Sequence, residues 1–190
     1  MRIEAIVIGC SAGGLDALKP LLRGLEPPLS QAIVVCSHSG DQALGLLPSL
    51  LARHCRLPVR EARERFPVEP GMVHVAPPGY HLLIERDRRF ALSVDEPVHY
   101  SRPSIDVLFE SAAETYGARL AGVMLTGASA DGAEGLACIR RGGGLAIVQD
   151  PAEAPAPAMP QAALARAGAD HCLPLARIAP LLNQWTHRDG

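Results

Sequence analysis

Short apolar runs alternate along this chain with stretches whose apolar positions recur at helical spacing. Residues 3–9, IEAIVIG, read as a buried strand, and LDALKPLLRGL, after the glycine-rich turn at 9–14, reads as a helix reaching about Leu22. Residues 32–36 form a second apolar run that ends in the polar cluster Ser37, His38, Ser39. ALGLLPSLLARHC is the next helix candidate, with Pro48 marking either a first-turn position or a kink. Residues 59–62 suggest a short third strand. GMVHVAPPGYHLLIERDRRFALSVD reads as several short strands, with Asp87 and Arg88 at a hairpin turn.

The second half repeats the alternation. Ser104, Ile105, Val107, Leu108 and Ala112 fall on one helical face, with Pro103 near its start. LAGVMLTG is a strand, and SADGAEGLACIRRGGG a turn and helix ending in glycines. LAIVQD is a further strand. PAEAPAPAMP reads as a surface or active-site loop, QAALARAG as a short helix and ARIAPLLNQW as a closing helix. The expected architecture is a single α/β domain over residues 1–190: a doubly wound, mainly parallel sheet with helices on both faces and an antiparallel hairpin.

Composition narrows the partners. With 48% apolar residues in 190, the chain has enough material for a folded core. Its 18 Lys and Arg against 20 Asp and Glu give a formal charge of -2, which offers no reason to expect nucleic acid. No apolar run is long enough for a bilayer and no secretory leader is visible, so a cytoplasmic protein without membrane insertion is expected. The five cysteines form no CxxC pair, and their odd count suits reduced thiols. The histidines show no H-x-x-x-H pair or Cys/His ligand cluster, so a zinc site is not expected.

Three predicted strands end in polar groups: GCSAGG, CSHSG and LTGASADG. Ligands of open α/β sheets bind outside such carboxyl ends. Ser11, His38 and Asp131 supply a hydroxyl, an imidazole and a carboxylate, the parts of a nucleophile, its base and an orienting group. Residues 9–13 also fit the G-x-S-x-G nucleophile elbow between strand and helix. Each residue has a plainer role open to it. Ser11 and Asp131 could be helix N-caps, and His38 a surface loop histidine. A dinucleotide fingerprint fits poorly, because Ser11 replaces its middle glycine and no acidic residue closes the second strand.

With these landmarks in order, the chain resembles the catalytic domain of the chemotaxis protein-glutamate methylesterases, the CheB family. The resemblance runs over about residues 3–182, through IVIGCSAGG, GMVHVAPPGYHL, SRPSIDVLFESAA, VMLTGASADGAEGL, AIVQD and MPQAAL. It implies that Ser11, His38 and Asp131 are a catalytic triad and that no cofactor is used. The implied reaction is removal of methyl groups from glutamyl methyl esters on chemoreceptor cytoplasmic helices, with deamidation of glutamines a further family activity. It also implies an oxyanion site at the backbone of Ala12 and Ala128. The expected cleft rim includes Arg102, Met159 and Pro160.

The sequence departs from the family pattern where Ala12, Ser39, Ala128 and Ser129 replace the usual threonine, methionine, methionine and glycine. Those changes alter the cleft wall, so a weakly active or inactive receptor-binding scaffold is the alternative. Met1 directly precedes the first strand, which leads to the expectation of activity without the phosphorylated receiver that most family members carry.

Overall fold

The computed structural model describes residues 2–38 and 45–185. Seven strands form one parallel sheet. They are β1 (Ala5–Cys10), β2 (Ala32–Ser37), β3 (Val59–Glu61), β4 (Val73–Val75), β7 (Leu120–Met124), β8 (Leu145–Gln149) and β9 (His171–Leu173), in the order β3-β4-β2-β1-β7-β8-β9. β5 (His81–Ile84) and β6 (Phe90–Ser93) make a separate antiparallel pair, the hairpin expected from the sequence. Among the described residues, six α-helices cover the parallel sheet: α1 (Gly14–Arg23), α2 (Leu47–Ala52), α3 (Ile105–Tyr116), α4 (Ala133–Arg141), α5 (Ala158–Ala167) and α6 (Leu175–Asn183).

Alternation along the strands divides the core in two. Ile6 and Ile8 of β1 pack with Leu18, Leu21 and Leu22 of α1 and with Ile178 and Leu182 of α6. Ala5 and Val7 face the other side, with Leu108 and Phe109 of α3, Leu136 and Ile139 of α4 and Ala163 of α5. Each fully buried Leu or Phe contributes roughly 1.5–3 kcal/mol, so both helical layers are held mainly by side-chain burial. The sheet is apolar on both faces for the same reason.

β1 is central, flanked by β2 and β7, and both of these pair with it in parallel. On one side the chain passes from β2 to the edge strand β3 and returns to β4 between them; on the other it runs outward through β7, β8 and β9. The carboxyl end of β1 is therefore a topological switch point, where the connections diverge and leave a crevice.

Two sequence expectations need correction. The second helix is shorter than ALGLLPSLLARHC: it spans Leu47–Ala52, with Pro48 in its first turn and residues 43–44 outside the described residues. Met159 and Pro160 lie in the first turn of α5, not in a loop, and both are buried. The alanine-rich run propagates the helix back past Pro160, because a first-turn proline loses no intrahelical hydrogen bond. Met159 packs into the core, and a Cβ on Gly127 would come within 2.5 Å of its sulfur. The proposed place of Met159 and Pro160 on an open cleft rim therefore gives way to a buried supporting role.

Candidate active site

The turn after β1 is shaped by its glycines. Gly13 has φ of 76° and a Cβ on Gly14 would meet Cys10 Sγ at 2.6 Å, so both positions require glycine. Gly13 is the N-cap of α1 and no side chain caps it, which removes the capping role from Ser11. Ser11 instead stands half-buried at the strand end, its N–H donating to Thr126 O at 2.9 Å. The neighbouring thiol of Cys10 is no rival nucleophile. Burial pushes it up to about 11, with only partial relief from its hydrogen bond to Ser37.

Register brings His38 alongside. Cys10 and Ser37 are paired across β1 and β2, and the His38 N–H donates to Cys10 O at 3.1 Å. The residues that follow, Ser11 and His38, thus leave adjacent strand ends about 4.8 Å apart. The His38 side chain is only 12% exposed and bonds Asp131 through Nε2 to Oδ2 at 2.7 Å. A surface-loop role does not describe it.

Asp131 is fully buried and does not cap its own helix; the N-cap of α4 is Gly132, without a side-chain bond. Its carboxylate reaches across to the start of α3. Oδ2 accepts the Ile105 N–H at 2.6 Å, and Oδ1 accepts the Ser104 hydroxyl at 2.8 Å and the Asp106 N–H at 3.1 Å. The positive end of the α3 dipole adds to these bonds. Burial by itself would raise the carboxyl, but the bond from His38, then those from Ile105, Asp106 and Ser104, outweigh it and hold the carboxyl below its usual range. Asp131 is thus a carboxylate, an acceptor only, so the proton of the 2.7 Å bond rides on His38 Nε2. Nδ1 is left as the basic nitrogen.

The helices exchange carboxylates. Asp106, in the first turn of α3, accepts the Gly135 N–H of α4 at 2.7 Å and stands 3.3 Å from His99 Nε2. Its carboxyl is raised to about 6, chiefly by burial; the Gly135 N–H opposes this, the Asp131 charge reinforces it and His99 opposes it. His99, Asp106 and Asp131 bring possible ligand atoms within 4.8 Å of one another. Both Asp131 oxygens already accept hydrogen bonds, so a cation there would have to displace His38 or the start of α3.

Around the serine, Thr126 ties three loops together. Its hydroxyl donates to Ala12 O at 3.0 Å and accepts the Ala156 N–H at 2.9 Å, while its own N–H donates to Gln149 Oε1 at 2.9 Å. Ala12 and Ala128 are both exposed beside this knot. Arg102 is exposed too, but its Nη1 donates to the carbonyls of Val94 and Asp95 at 2.8 and 3.0 Å, fixing the loop before α3. A hollow of about 450 Å³ lined by Val59, Phe66, His74 and Phe90 lies at the β3 edge and includes none of Ser11, His38 and Asp131. Ser39 lies outside the described residues.

Residues 6–182 match the CheB methylesterase family. The chain belongs to that family. A Leptospira interrogans relative is 48% identical over 181 residues, spanning 95% of this chain and 94% of its own length. The Myxococcus xanthus protein-glutamate methylesterase FrzG is 38% identical over 180 residues, spanning 95% of this chain and 54% of its own length. Against FrzG and several other relatives, then, the chain spans about half of the longer protein. The crystal structure of the Thermotoga maritima CheB methylesterase catalytic domain superposes with a TM-score of 0.92 at 29% identity, covering 97% of this chain and 99% of that one. The fold expected from the sequence is thus the CheB catalytic-domain fold, and the enzyme class expected is the one the family's members are named for.

Sequence reasoning picked out Ser11, His38 and Asp131 but missed Ser104, Asp106, His99 and Thr126. Ser104 and Asp106 do carry a signal, since Ser-x-Asp before an apolar run marks a helix start. That this helix start would be aimed at Asp131 depends on how α3 packs against α4.

Proposed function

We propose that the chain is a serine hydrolase that removes methyl groups from glutamyl methyl esters on the cytoplasmic helices of chemoreceptors. The observation that carries this reading is the 2.7 Å bond from a sheltered His38 to a buried Asp131, beside the strand end that presents Ser11. Ser11 Oγ attacks the ester carbonyl as His38 Nδ1 takes its proton. Asp131 fixes the tautomer through Nε2 and stabilises the imidazolium. The N–H groups of Ala12 and Ala128 receive the oxyanion, which needs backbone donors and not the side chains in which this chain departs from its family. His38 returns the proton to the leaving methanol. Water, activated by the same nitrogen, then hydrolyses the acyl-enzyme to free glutamate. An amide leaving group gives ammonia by the same steps, which covers glutamine deamidation.

Methanol release from a methylated receptor fragment tests the reading. The wild-type chain is expected to release it and Ser11→Ala to release none; equal release from both would remove Ser11 from the mechanism. A fluorophosphonate probe separates enzyme from scaffold, because labelling that depends on both Ser11 and His38 requires an activated serine.

A further inference from the structure

A tight turn precedes α3 and is tied to the candidate site. Val98 and Ser101 exchange backbone hydrogen bonds of 3.1 and 2.9 Å, and the two residues between them, His99 and Tyr100, have φ of 48° and 62°. This is the left-handed region, which favours glycine and asparagine over either residue. His99 Nε2 stands 3.3 Å from Asp106 Oδ2, and the Asp106 N–H donates to Asp131 Oδ1 at 3.1 Å. The turn is therefore two contacts away from the carboxylate that holds His38.

Tyr100 is fully exposed, at 103% of its reference area. Two other large apolar side chains, Val94 at 69% and Tyr80 at 42%, lie on the loops linked to the same turn. Arg102 Nη1 binds the carbonyls of Val94 and Asp95. His81, next to Tyr80, contacts Glu96 O at 3.0 Å and accepts the Ser104 N–H at 3.1 Å. Positive φ at both central residues is what a two-residue hairpin turn requires, so the Val98–Ser101 pair accounts for the backbone. The ring it holds out in water gains nothing within the free chain.

We propose that Tyr100, on the turn tied to the His38–Asp131 pair, is a specificity-determining contact for the helix bearing the esterified glutamate. This rests on the esterase reading above and names what selects its substrate. Esterification removes a carboxylate charge and adds a methyl group, so the substrate helix is less polar at the reacting position than the product helix. A phenol ring suits that methylated face and the apolar residues three and four positions away on the same helix.

The test uses a synthetic amphipathic helical peptide carrying one γ-methyl glutamate, its unmethylated counterpart, and a small glutamyl methyl ester with no helix. Because Tyr100 is in water, Tyr100→Ala should fold as the wild type does. The variant is expected to raise KM for the methylated peptide about tenfold, the effect of truncating a tyrosine anchor. Its kcat/KM for the small ester should stay within about twofold of wild type, and Tyr100→Phe should behave as wild type. Peptide binding, read by fluorescence anisotropy, should weaken in Tyr100→Ala by the same factor as KM rises. An unchanged peptide KM, or equal losses on peptide and small ester, would overturn the proposal. Binding that depends on Tyr100 without methanol release would uphold the docking contact and overturn the esterase reading instead. If Tyr100→Ala abolishes a dimer of this chain and leaves peptide affinity unchanged, the ring serves self-association and the assignment fails.

Discussion

Asp131 carries two loads, and substitution separates them. Asn in its place keeps the shape but sets an amide N–H₂ against one pair of donors, either His38 and Ile105 or Ser104 and Asp106, and leaves the carbonyl oxygen to the other pair. Asp131→Asn should lower turnover about ten-thousand-fold through loss of the correct histidine tautomer. It should also destabilise the fold by about 2–3 kcal/mol, since buried donors lose their acceptor. The carboxyl is depressed in the folded chain, so its contribution is present above the unfolded value near 4 and is lost as pH falls below it. The stability gap between wild type and variant, measured by urea unfolding, should therefore close in acid. Asp106 has the opposite sign. The folded chain holds a proton that the unfolded chain has released between about 4 and about 6, so stability falls as pH rises through that window and levels above it. Asp106→Asn should flatten that slope, with Glu110, also raised by burial, retaining part of it. The three polar strand ends were legible at this scale because chemistry limits which residue types can form such a set. The partners Ser104 and Asp106 were not, because a helix start looks the same in sequence whatever it faces.

At the scale of elements, the close approach of α3 and α4 holds the carboxylates in place. A Cβ on Gly135 would lie 2.5 Å from Phe109 Cβ and 3.1 Å from the Asp106 backbone. Gly135→Ala should thus force the helices apart, at a cost of about 1–3 kcal/mol, and lower turnover as the donors to Asp131 shift. Denaturant unfolding and methanol release on the same sample check both outcomes. Helix periodicity made α3 and α4 plain in the sequence. The start of α5 was hidden because prolines at 155, 157 and 160 read as loop, although Pro160 sits where a helix tolerates it. The short α2 was over-extended for a related reason: the apolar spacing of ALGLLPSLLARHC runs past the last helical turn at Ala52.

Across the whole molecule, one sheet is shared by two cores. Leu18→Ala on one face and Phe109→Ala on the other each remove a fully buried side chain, at a cost of about 2–5 kcal/mol. If the chain is one cooperative domain, both should shift a single transition in circular dichroism and tryptophan fluorescence alike. Separate transitions for the two faces would divide it. The alternation of apolar runs and helices announced a parallel sheet with two covered faces. The order of strands around β1 was not written in any one segment, because pairing such as Ala5 with Leu120 joins residues far apart in the chain.

The bond between Asp131 and the start of α3 also bears on how such a gene can decay. A lineage that gave up turnover and kept only the shape could discard Ser11, whose side chain caps no helix. It could not discard Asp131 as cheaply, because a helix start would lose its acceptor. Selection for shape alone therefore preserves the aspartate and lets the serine drift. Of the three, the serine is therefore the one whose presence shape alone does not explain.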